Sequence, residues 1–292
     1  MHLGNGAITT ECAWIGLGLS AIGLSAAGRL GKRNSGCSPA QIASLGTLLF
    51  TAQMINVPVG SHSSAHLVGG VALAHLLGPS LGMRVMALLI AVQAMFLGDG
   101  GVAALGVNIF NMAVLPALLV LAVERWVGKS TSLIALTAGG AILIAALLIP
   151  LEVAVGRTSH ELQSWQSFFT AMLSFHAFAA LLEAGATLAL IIGWNTLAEK
   201  NVALAPRVAF IIPFLIASSA WAISSALPDG YEAAAGTAMH SLLTGDNSFI
   251  TQLNGFGEVV SALLATSIFL LLSLGLGCWN HRGEWKFTTQ VS

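Results

Sequence analysis

The sequence predicts an all-α integral membrane protein, a polytopic helical bundle with about nine transmembrane spans. Three observations support this fold class: the composition, the lengths of the apolar runs and the distribution of the basic residues. Of the 292 residues, 56% are hydrophobic and 8% are charged, and the mean hydropathy is +0.85. Soluble domains carry about 25% charged residues. The net charge of −1 gives no argument for a nucleic-acid partner.

The apolar runs set the number of spans, because a helix needs about 20 residues to cross the hydrocarbon core. They cover residues 7–28, 40–58, 64–79, 83–98, 101–123, 131–151, 164–195, 207–226 and 255–279. The third and fourth runs are short and are interrupted by Gly78, Pro79 and Gly82. We expect these two runs to be tilted, broken or partly re-entrant, and to lie near a site, because irregular backbone at membrane depth must be satisfied by protein or water.

The basic residues predict the orientation. Of the 11 Lys and Arg residues, Arg157 alone falls in a loop on the opposite side of the membrane from the others. Basic residues concentrate in cytoplasmic loops. The N-terminus is therefore predicted to lie outside and the C-terminus in the cytoplasm, in a multi-pass protein of the inner (cytoplasmic) membrane.

A change in the length of the connections divides the chain near residue 200. Spans one to seven follow one another through short connections, and residues 198–201 are typical of a cytoplasmic linker. A long outer loop, about 227–254, separates the last two spans. We predict two domains, residues 1–200 and residues 201–292.

The N-terminus is the first candidate metal site. Met1 is retained before a bulky residue such as His2, which predicts a free α-amine on the outer side. The amine, the deprotonated His2 amide and the His2 imidazole place three nitrogens in sequence, and a fourth would complete a planar set. That geometry favours Ni(II) or Cu(II) over Zn(II). The alternative is that His2 is the second residue of a frayed end.

The second candidate is the segment between spans two and three, which contains Asn56 and Ser64. His62 and His66 in this segment are four residues apart and would share one face of a helix. Small neighbouring residues permit another segment to approach. Contact with a metal or substrate is one interpretation, and a polar loop with locally hydrogen-bonded histidines is the other.

The third candidate is a glycine-rich turn, Gly-Asp-Gly-Gly at residues 98–101, which precedes the fifth span. Asn108 and Asn111 lie on one face of that span and are placed to hydrogen-bond to neighbouring helices. The simplest interpretation is a structural turn with interhelical amides, and a role for Asp99 in a site is the alternative.

The fourth candidate is the pair His176 and Glu183, seven residues apart on one face of the seventh span. An ionisable side chain inside a membrane span is a functional hypothesis by default. A buried structural pair that holds the bundle together is the alternative, and the spacing does not rank the two.

Several motifs occur in order along residues 1–200. They are Met1-His2 with Gly6, Gln53-Met54-x-Asn56-x-Pro58-Val59, His66-Leu67-x-Gly69-Gly70, Leu77-Gly78-Pro79, Phe96-Leu97-Gly98-Asp99-Gly100-Gly101, Leu105-Gly106-x-Asn108-x-Phe110-Asn111-Met112-Ala113 and Glu183-Ala184-Gly185-Ala186-Thr187. Together they resemble the substrate-binding membrane subunits (S components) of cobalt and nickel energy-coupling-factor transporters, the CbiM/NikM type.

The resemblance implies the ligands and the partners. Four nitrogens hold the ion in that family, and the matching donors are the Met1 amine, the His2 amide and imidazole, and His66. His62 is an extra candidate that replaces or assists His66, since residues 61–65 depart from the Gly-Gly-Thr-Ser-Gly that usually precedes the loop histidine. The implied function is capture of Ni(II) or Co(II) for uptake, without a prosthetic group. The implied partners are a transmembrane coupling (T) subunit, two cytoplasmic ATPase (A) subunits and membrane lipid.

Residues 201–292 resemble the small NikN-like helper subunit of the nickel branch, whose outer loop carries Pro-Asp-Gly-Leu-Glu. The corresponding residues here are Pro228, Asp229, Gly230, Tyr231 and Glu232. The resemblance implies a fusion of the binding subunit with its helper and tilts the choice of ion toward nickel, while cobalt stays open. The helper is hypothesised to hold the N-terminal loops open or closed during loading.

Two other functions fit parts of the sequence. A membrane enzyme would use His176, Glu183 and Asp99 in a metal-assisted or acid–base reaction. No nucleophile-plus-base arrangement or catalytic motif accompanies these residues, so we expect a protein that is not an enzyme. A stand-alone secondary transporter is expected to show an inverted repeat, and the sequence shows none of that kind.

Overall fold

The computed structural model describes residues 2–27, 37–59, 62–158, 164–199, 206–225, 227–238 and 255–288. This part of the chain is a bundle of α-helices with one small antiparallel sheet. The helices are α1 (Thr10–Ala26), α2 (Pro39–Ala52), α3 (Gly70–Leu77), α4 (Pro79–Val92), α5 (Leu105–Ile109), α6 (Leu115–Trp126), α7 (Thr131–Ala154), α8 (Trp165–Glu199), α9 (Pro206–Ile223), α10 (Gly230–Ala238) and α11 (Gly255–Thr288). The strands are β1 (Val57–Pro58) and β2 (Ser64–Ala65). The π-helical segments Gln93–Leu97 and Phe110–Val114 extend α4 and join α5 to α6.

The described helices are those of a membrane protein. Five helical segments are long and apolar enough to cross a bilayer: Pro79–Leu97, Leu105–Trp126, Thr131–Ala154, Trp165–Thr196 and Val259–Asn280. Large apolar side chains point away from the core, among them Trp14 at 69%, Leu181 at 73% and Leu271 at 68% exposure. An apolar surface of this kind is expected to contact lipid. A predominantly helical, multi-pass membrane protein is thus confirmed, whereas the nine spans and the orientation of the termini stay predictions.

The third apolar run is broken, as expected, but its irregular part lies before α3 and not only at Gly78 and Pro79. It contains β2, an irregular stretch over residues 66–69, and α3, which has 8 residues and rises only about 12 Å. Gly78, at φ 84°, makes the turn into α4, and Pro79 occupies the first position of that helix. The first half of this run is therefore extended, and other parts of the protein must satisfy its backbone groups.

Close backbone contacts hold the first half of the bundle together at glycines. A Cβ atom at Gly82 in α4 would lie 2.4 Å from the carbonyl oxygen of Leu73 in α3. A Cβ atom at Gly106 in α5 would lie 2.4 Å from the amide nitrogen of Leu17 in α1. Small residues allow such approaches between helices in membranes. Because these two positions are glycines, α3 can approach α4 closely and α5 can approach α1 closely.

The last helices pack on the first part of the chain through aromatic side chains. The Phe269 ring of α11 stacks on Phe50 of α2 with centroids 4.9 Å apart, and Tyr231 of α10 meets Phe168 of α8 edge-on at 6.2 Å. Helix α10 was not predicted and lies within the expected long loop. The boundary predicted near residue 200 lies outside the described residues, and the division into two domains stays a prediction.

Replacement of Gly82 by alanine is expected to destabilise the protein by about 1–3 kcal/mol, the usual range for overpacking. The added methyl group meets the backbone of α3, which cannot rotate away as a side chain can. Gly140→Ala in α7 is the matched control, because a Cβ there meets no described atom within 4 Å. Thermal unfolding in detergent measures both variants. Equal stability of the two would contradict the close packing of α3 on α4.

Candidate metal centre

The side chains of His2 and His66 stack on each other. Their ring centroids are 5.4 Å apart and the ring planes differ by 13°. His2 is 5% exposed, and its Nε2 atom has no hydrogen-bond partner among the described residues. The Nδ1 atom of His66 lies 3.0 Å from the Leu67 carbonyl oxygen. Since a carbonyl only accepts, Nδ1 carries the proton and Nε2 of His66 keeps the lone pair that binds metals.

Asn108 holds the chain that follows His2. Its side-chain oxygen accepts from the Leu3 amide at 2.9 Å, and its amide nitrogen donates to the Leu3 carbonyl at 3.1 Å. The Gly101 amide also donates to the Leu3 carbonyl at 2.8 Å. The described N-terminal segment is therefore not a frayed end. Asn108 thus hydrogen-bonds to the N-terminal segment. The simplest interpretation of the sequence was a hydrogen bond from Asn108 to a neighbouring helix.

The glycine-rich turn forms one wall of the site. Asp99 Oδ1 lies 2.9 Å from His2 Nδ1. Gly100, at φ 86°, brings the turn so close that a Cβ there would lie 3.1 Å from Cβ of His2. Burial of Asp99 alone would raise its pKa, but the adjacent His2 and His66 rings keep the pKa of this carboxyl below its usual range. Asp99 thus supplies a negative charge next to the histidine pair.

Glu183 of α8 satisfies the irregular backbone that follows His66. Its carboxyl oxygens accept from the Val68 amide at 2.7 Å and from the Gly69 amide at 2.8 Å. The side chain is 4% exposed. Glu183 therefore holds the loop of His66 in place. The sequence left open whether Glu183 is functional or structural, and the contact that the structure shows is with the backbone of this loop.

A half-buried carboxyl group was missed by sequence reasoning. Glu152 of α7 accepts a hydrogen bond at 2.9 Å from the side-chain nitrogen of Asn111, which lies in a π-helical segment. This contact is interhelical, as the sequence favoured for Asn111. Glu152 lies at the end of a predicted span, where an acidic residue is common, so only its partner makes it notable.

The segment before α10 pairs with β2, the strand that lies between His62 and His66 in the sequence. The Ser64 amide donates to the Pro228 carbonyl at 2.7 Å, and Ser64 Oγ donates to the Leu227 carbonyl at 2.7 Å. The backbone of Asn56 accepts from the Ser225 amide at 2.8 Å. The last part of the chain therefore adds a short stretch of backbone beside β2, directly before His66.

The Pro-Asp-Gly-Tyr-Glu motif is the start of α10. Asp229 Oδ1 accepts from the Glu232 amide at 2.8 Å, and Glu232 Oε2 accepts from the Asp229 amide at 3.1 Å. These two bonds form a capping box. An Asp followed three residues later by a Glu is the sequence signal for the start of this helix.

The other residues predicted for the site differ in whether they reach the histidine pair. Met1 lies outside the described residues. His62 is exposed, whereas His66 is the loop histidine that faces His2. His176 is 2% exposed and lines a cavity together with His66. In the part of the chain that the structure describes, no three His, Cys, Asp or Glu side chains converge closely enough to hold a metal ion by themselves.

The fold and the site define a polytopic α-helical membrane protein that holds a stacked histidine pair between its N-terminal segment and an irregular loop. The family described as CbiM, cobalt uptake substrate-specific transmembrane region, matches residues 2–200. The chain therefore belongs to the CbiM family. The resemblance to CbiM/NikM-type components of cobalt and nickel transport is confirmed.

Individual relatives are transport proteins. A metal transport protein of Haloquadratum walsbyi is 37% identical over 141 residues, which are 48% of this chain and 64% of that protein. The fused nickel transport protein NikMN of Archaeoglobus fulgidus is 36% identical over 111 residues, 37% of each chain. The matched segments thus span less than two thirds of these relatives. The crystal structure of a transition metal transporter has a TM-score of 0.55 at 25% identity and covers 69% of this chain and 96% of that chain.

Replacement of Glu183 by glutamine is expected to loosen the loop of residues 66–69. A glutamine amide presents one acceptor and one donor, so one of the Val68 and Gly69 amides loses its partner, at a cost of about 1–3 kcal/mol. Hydrogen exchange at these two amides and thermal unfolding measure the effect. Thr187→Val, one turn along α8, is the control, because the buried Thr187 hydroxyl has no hydrogen-bond partner in the described residues. Unchanged exchange in Glu183→Gln would contradict this role.

Proposed function

We propose that this chain is the substrate-specific component of an energy-coupling-factor ABC-type importer that captures Ni(II) or Co(II) at its N-terminus. The observation that carries the proposal is the stacked pair of His2 and His66, which lies beside the carboxyl group of Asp99. Membership in a family of substrate-specific transmembrane regions for cobalt uptake supports the same function.

The proposed donors are four nitrogens: the Met1 amine, the amide and imidazole of His2, and the imidazole of His66. A planar set of nitrogen ligands suits Ni(II), and nitrogen donors also suit Co(II). The amide and the imidazoles must give up protons to bind, so affinity is expected to fall as the pH falls. Asp99 is proposed to stabilise the bound cation without being one of the four donors.

The proposed setting is the cell inner membrane, with the N-terminal site facing outward. The chain has no ATP-binding motif, so energy for uptake is proposed to come from a transmembrane coupling subunit and two ATPase subunits. The fused nickel transport proteins among the relatives support nickel as the cargo, and cobalt remains the alternative.

Residues 201–292 are proposed to act as a built-in helper for loading. Their backbone pairs with β2 through Ser64, two residues before His66. Gly230 lies so close to His176 that an added Cβ would be 2.8 Å from the Cε1 atom of the ring. The helper thus contacts the loop of His66 on one side and α8 on the other, and can set the position of that loop.

The predicted enzyme alternative is not favoured. The relatives are transport proteins. The three residues proposed for catalysis also serve separate contacts: Asp99 lies beside His2, Glu183 holds backbone amides, and His176 donates to a carbonyl in its own helix. No observation on these residues supports a shared reaction centre.

Addition of one residue before Met1 is expected to abolish tight binding of Ni(II) or Co(II). The extension keeps every side chain but displaces the terminal amine. Equilibrium dialysis and metal analysis of protein purified without a histidine tag measure the effect, and mass spectrometry verifies both N-termini. We expect about one ion per native chain and at least a hundredfold weaker binding after extension. Equal binding by both chains would rule out the N-terminal site.

The second part of this experiment replaces each of the two loop histidines in turn and compares the metal affinities. His66→Gln is expected to weaken binding at least tenfold, because one of four donors is lost. His62→Gln is expected to leave the affinity within about twofold, since His62 is exposed and His66 faces His2. The reverse ranking would assign the fourth donor to His62.

Gly230→Ala is expected to slow metal uptake in cells that also express the coupling and ATPase subunits. The added methyl group meets the His176 ring and pushes the helper away from α8. Gly185→Ala in α8 is the control, because its Cβ meets no described atom within 4 Å. Uptake at the native rate by both variants, or by a chain lacking residues 201–292, would show that the helper does not assist loading.

A further inference from the structure

Arg157 is the one basic residue that the sequence predicts on the outer side of the membrane, and it has no part in the proposed function. The rest of the 11 Lys and Arg residues are predicted on the cytoplasmic side, where basic residues normally concentrate. In the structure Arg157 follows the end of α7 and contacts the segment between His2 and α1. A positive charge repels the cations that such a site captures, so the position of Arg157 requires another explanation.

The guanidinium group of Arg157 joins the end of α7 to the N-terminal segment. Its Nε atom donates to the Val153 carbonyl at 2.9 Å, and its Nη2 atom donates to the Ala7 carbonyl at 3.0 Å. The Gly6 carbonyl oxygen lies 3.5 Å from the same Nη2 atom. Arginine presents five N–H donors in a rigid fork and no acceptor. One side chain can therefore bind carbonyl groups of both segments at once.

Two further contacts join the same parts of the chain. The Thr9 hydroxyl donates to the Val155 carbonyl at 2.8 Å. Gly156 has a φ of 73°, which favours glycine, and a Cβ atom there would lie 2.9 Å from Thr9 Oγ1. The turn after α7 is therefore fitted closely against the start of α1. We call the contacts between residues 6–9 and residues 155–157 the Arg157 clamp.

The clamp is the second attachment of the chain that follows His2. Asn108 holds Leu3, the next residue, and Arg157 holds Ala7, four residues further on. Residues 3–9 form no helix or strand, so contacts with other segments must fix their course. The position of His2 beside His66 therefore depends on both attachments.

We propose that Arg157 is a positioning residue for the N-terminal metal site, which it serves by clamping the segment after His2 to the end of α7. This inference rests on the proposed function and adds a residue to the same site. Arg157 is not itself a ligand, because a guanidinium group has no lone pair to offer. Donors that are held in place before the ion arrives lose less conformational freedom on binding, so the affinity is higher.

Two simpler roles for Arg157 predict different results. As a cap for α7 alone, its loss would lower the stability of the helix and leave the metal affinity of the folded chain unchanged. As an outer charge alone, its loss would remove a repulsion and make metal binding tighter. The clamp instead predicts weaker metal binding by a chain that is still folded.

The experiment uses the full chain with NiCl₂ as the probe and no histidine tag. Equilibrium dialysis compares the native chain with Arg157→Gln and Arg157→Lys. Arg125→Gln is the matched control, because Arg125 is an exposed residue in the last turn of α6. Hydrogen exchange of residues 2–9 and of α7 locates any loosening, and the absorption spectrum of bound Ni(II) reports its ligands. Thermal unfolding in detergent verifies that each variant is folded.

We expect Arg157→Gln to weaken Ni(II) binding about tenfold, the effect of losing one charged hydrogen bond. Hydrogen exchange is expected to rise more in residues 2–9 than in α7. The absorption spectrum at saturation is expected to match that of the native chain, because the ligands are unchanged. Arg157→Lys keeps one ammonium group that cannot fork between two segments, so its affinity is expected to lie between the two. Arg125→Gln is expected to stay within about twofold of the native affinity.

Unchanged or tighter binding by Arg157→Gln, or an effect equal to that of Arg125→Gln, would overturn the clamp and leave the N-terminal site standing. If Arg157→Gln does not fold, Arg157→Lys decides the question, and native affinity in that variant would overturn the clamp. Failure of the native chain to bind Ni(II) would overturn the proposed function itself.

Discussion

The structure depends on one contact, the pair of hydrogen bonds from the Val68 and Gly69 amides to the carboxyl group of Glu183. The chain from Ser64 to Gly69 is not helical and lies inside an apolar bundle, where each unsatisfied backbone group costs several kcal/mol. Glu183 satisfies two of these groups, and the segment before α10 satisfies another at Ser64. An irregular loop can therefore exist there and place His66 where a regular helix would not.

The candidate centre is assembled from segments that are far apart in sequence. The N-terminal segment is held by Asn108, which is 105 residues from its partner Leu3. The loop of His66 is held by α8 and by the helper segment. Because each segment lacks regular hydrogen bonds of its own, the site forms only when the bundle is complete. Binding of an ion by this arrangement would stabilise the folded state as well as select the cargo.

The members of the site could be predicted from sequence more readily than their contacts. His2, His66 and Asp99 were candidates by residue type, each with a structural alternative, and the family resemblance selected His2 and His66. The structure brings these three together. Glu152 was missed because its importance lies in a partner 41 residues away. The orientation of Glu183 toward backbone amides also has no local signature, since nothing in α8 indicates which loop will pack against it.

The position of the His2 ring bears on how an ion would enter. A residue-2 histidine that chelates a metal together with its own amide closes a six-membered ring through Nδ1, and in the structure this atom lies 2.9 Å from Asp99 Oδ1. His2 Nδ1 can contact the Asp99 carboxylate or bind the ion, but it cannot do both at the same time. Loading as proposed therefore exchanges a carboxylate contact for a metal bond, while the charge of Asp99 stays close enough to attract the cation. The Leu67 carbonyl already fixes the His66 tautomer that leaves the Nε2 lone pair for an ion.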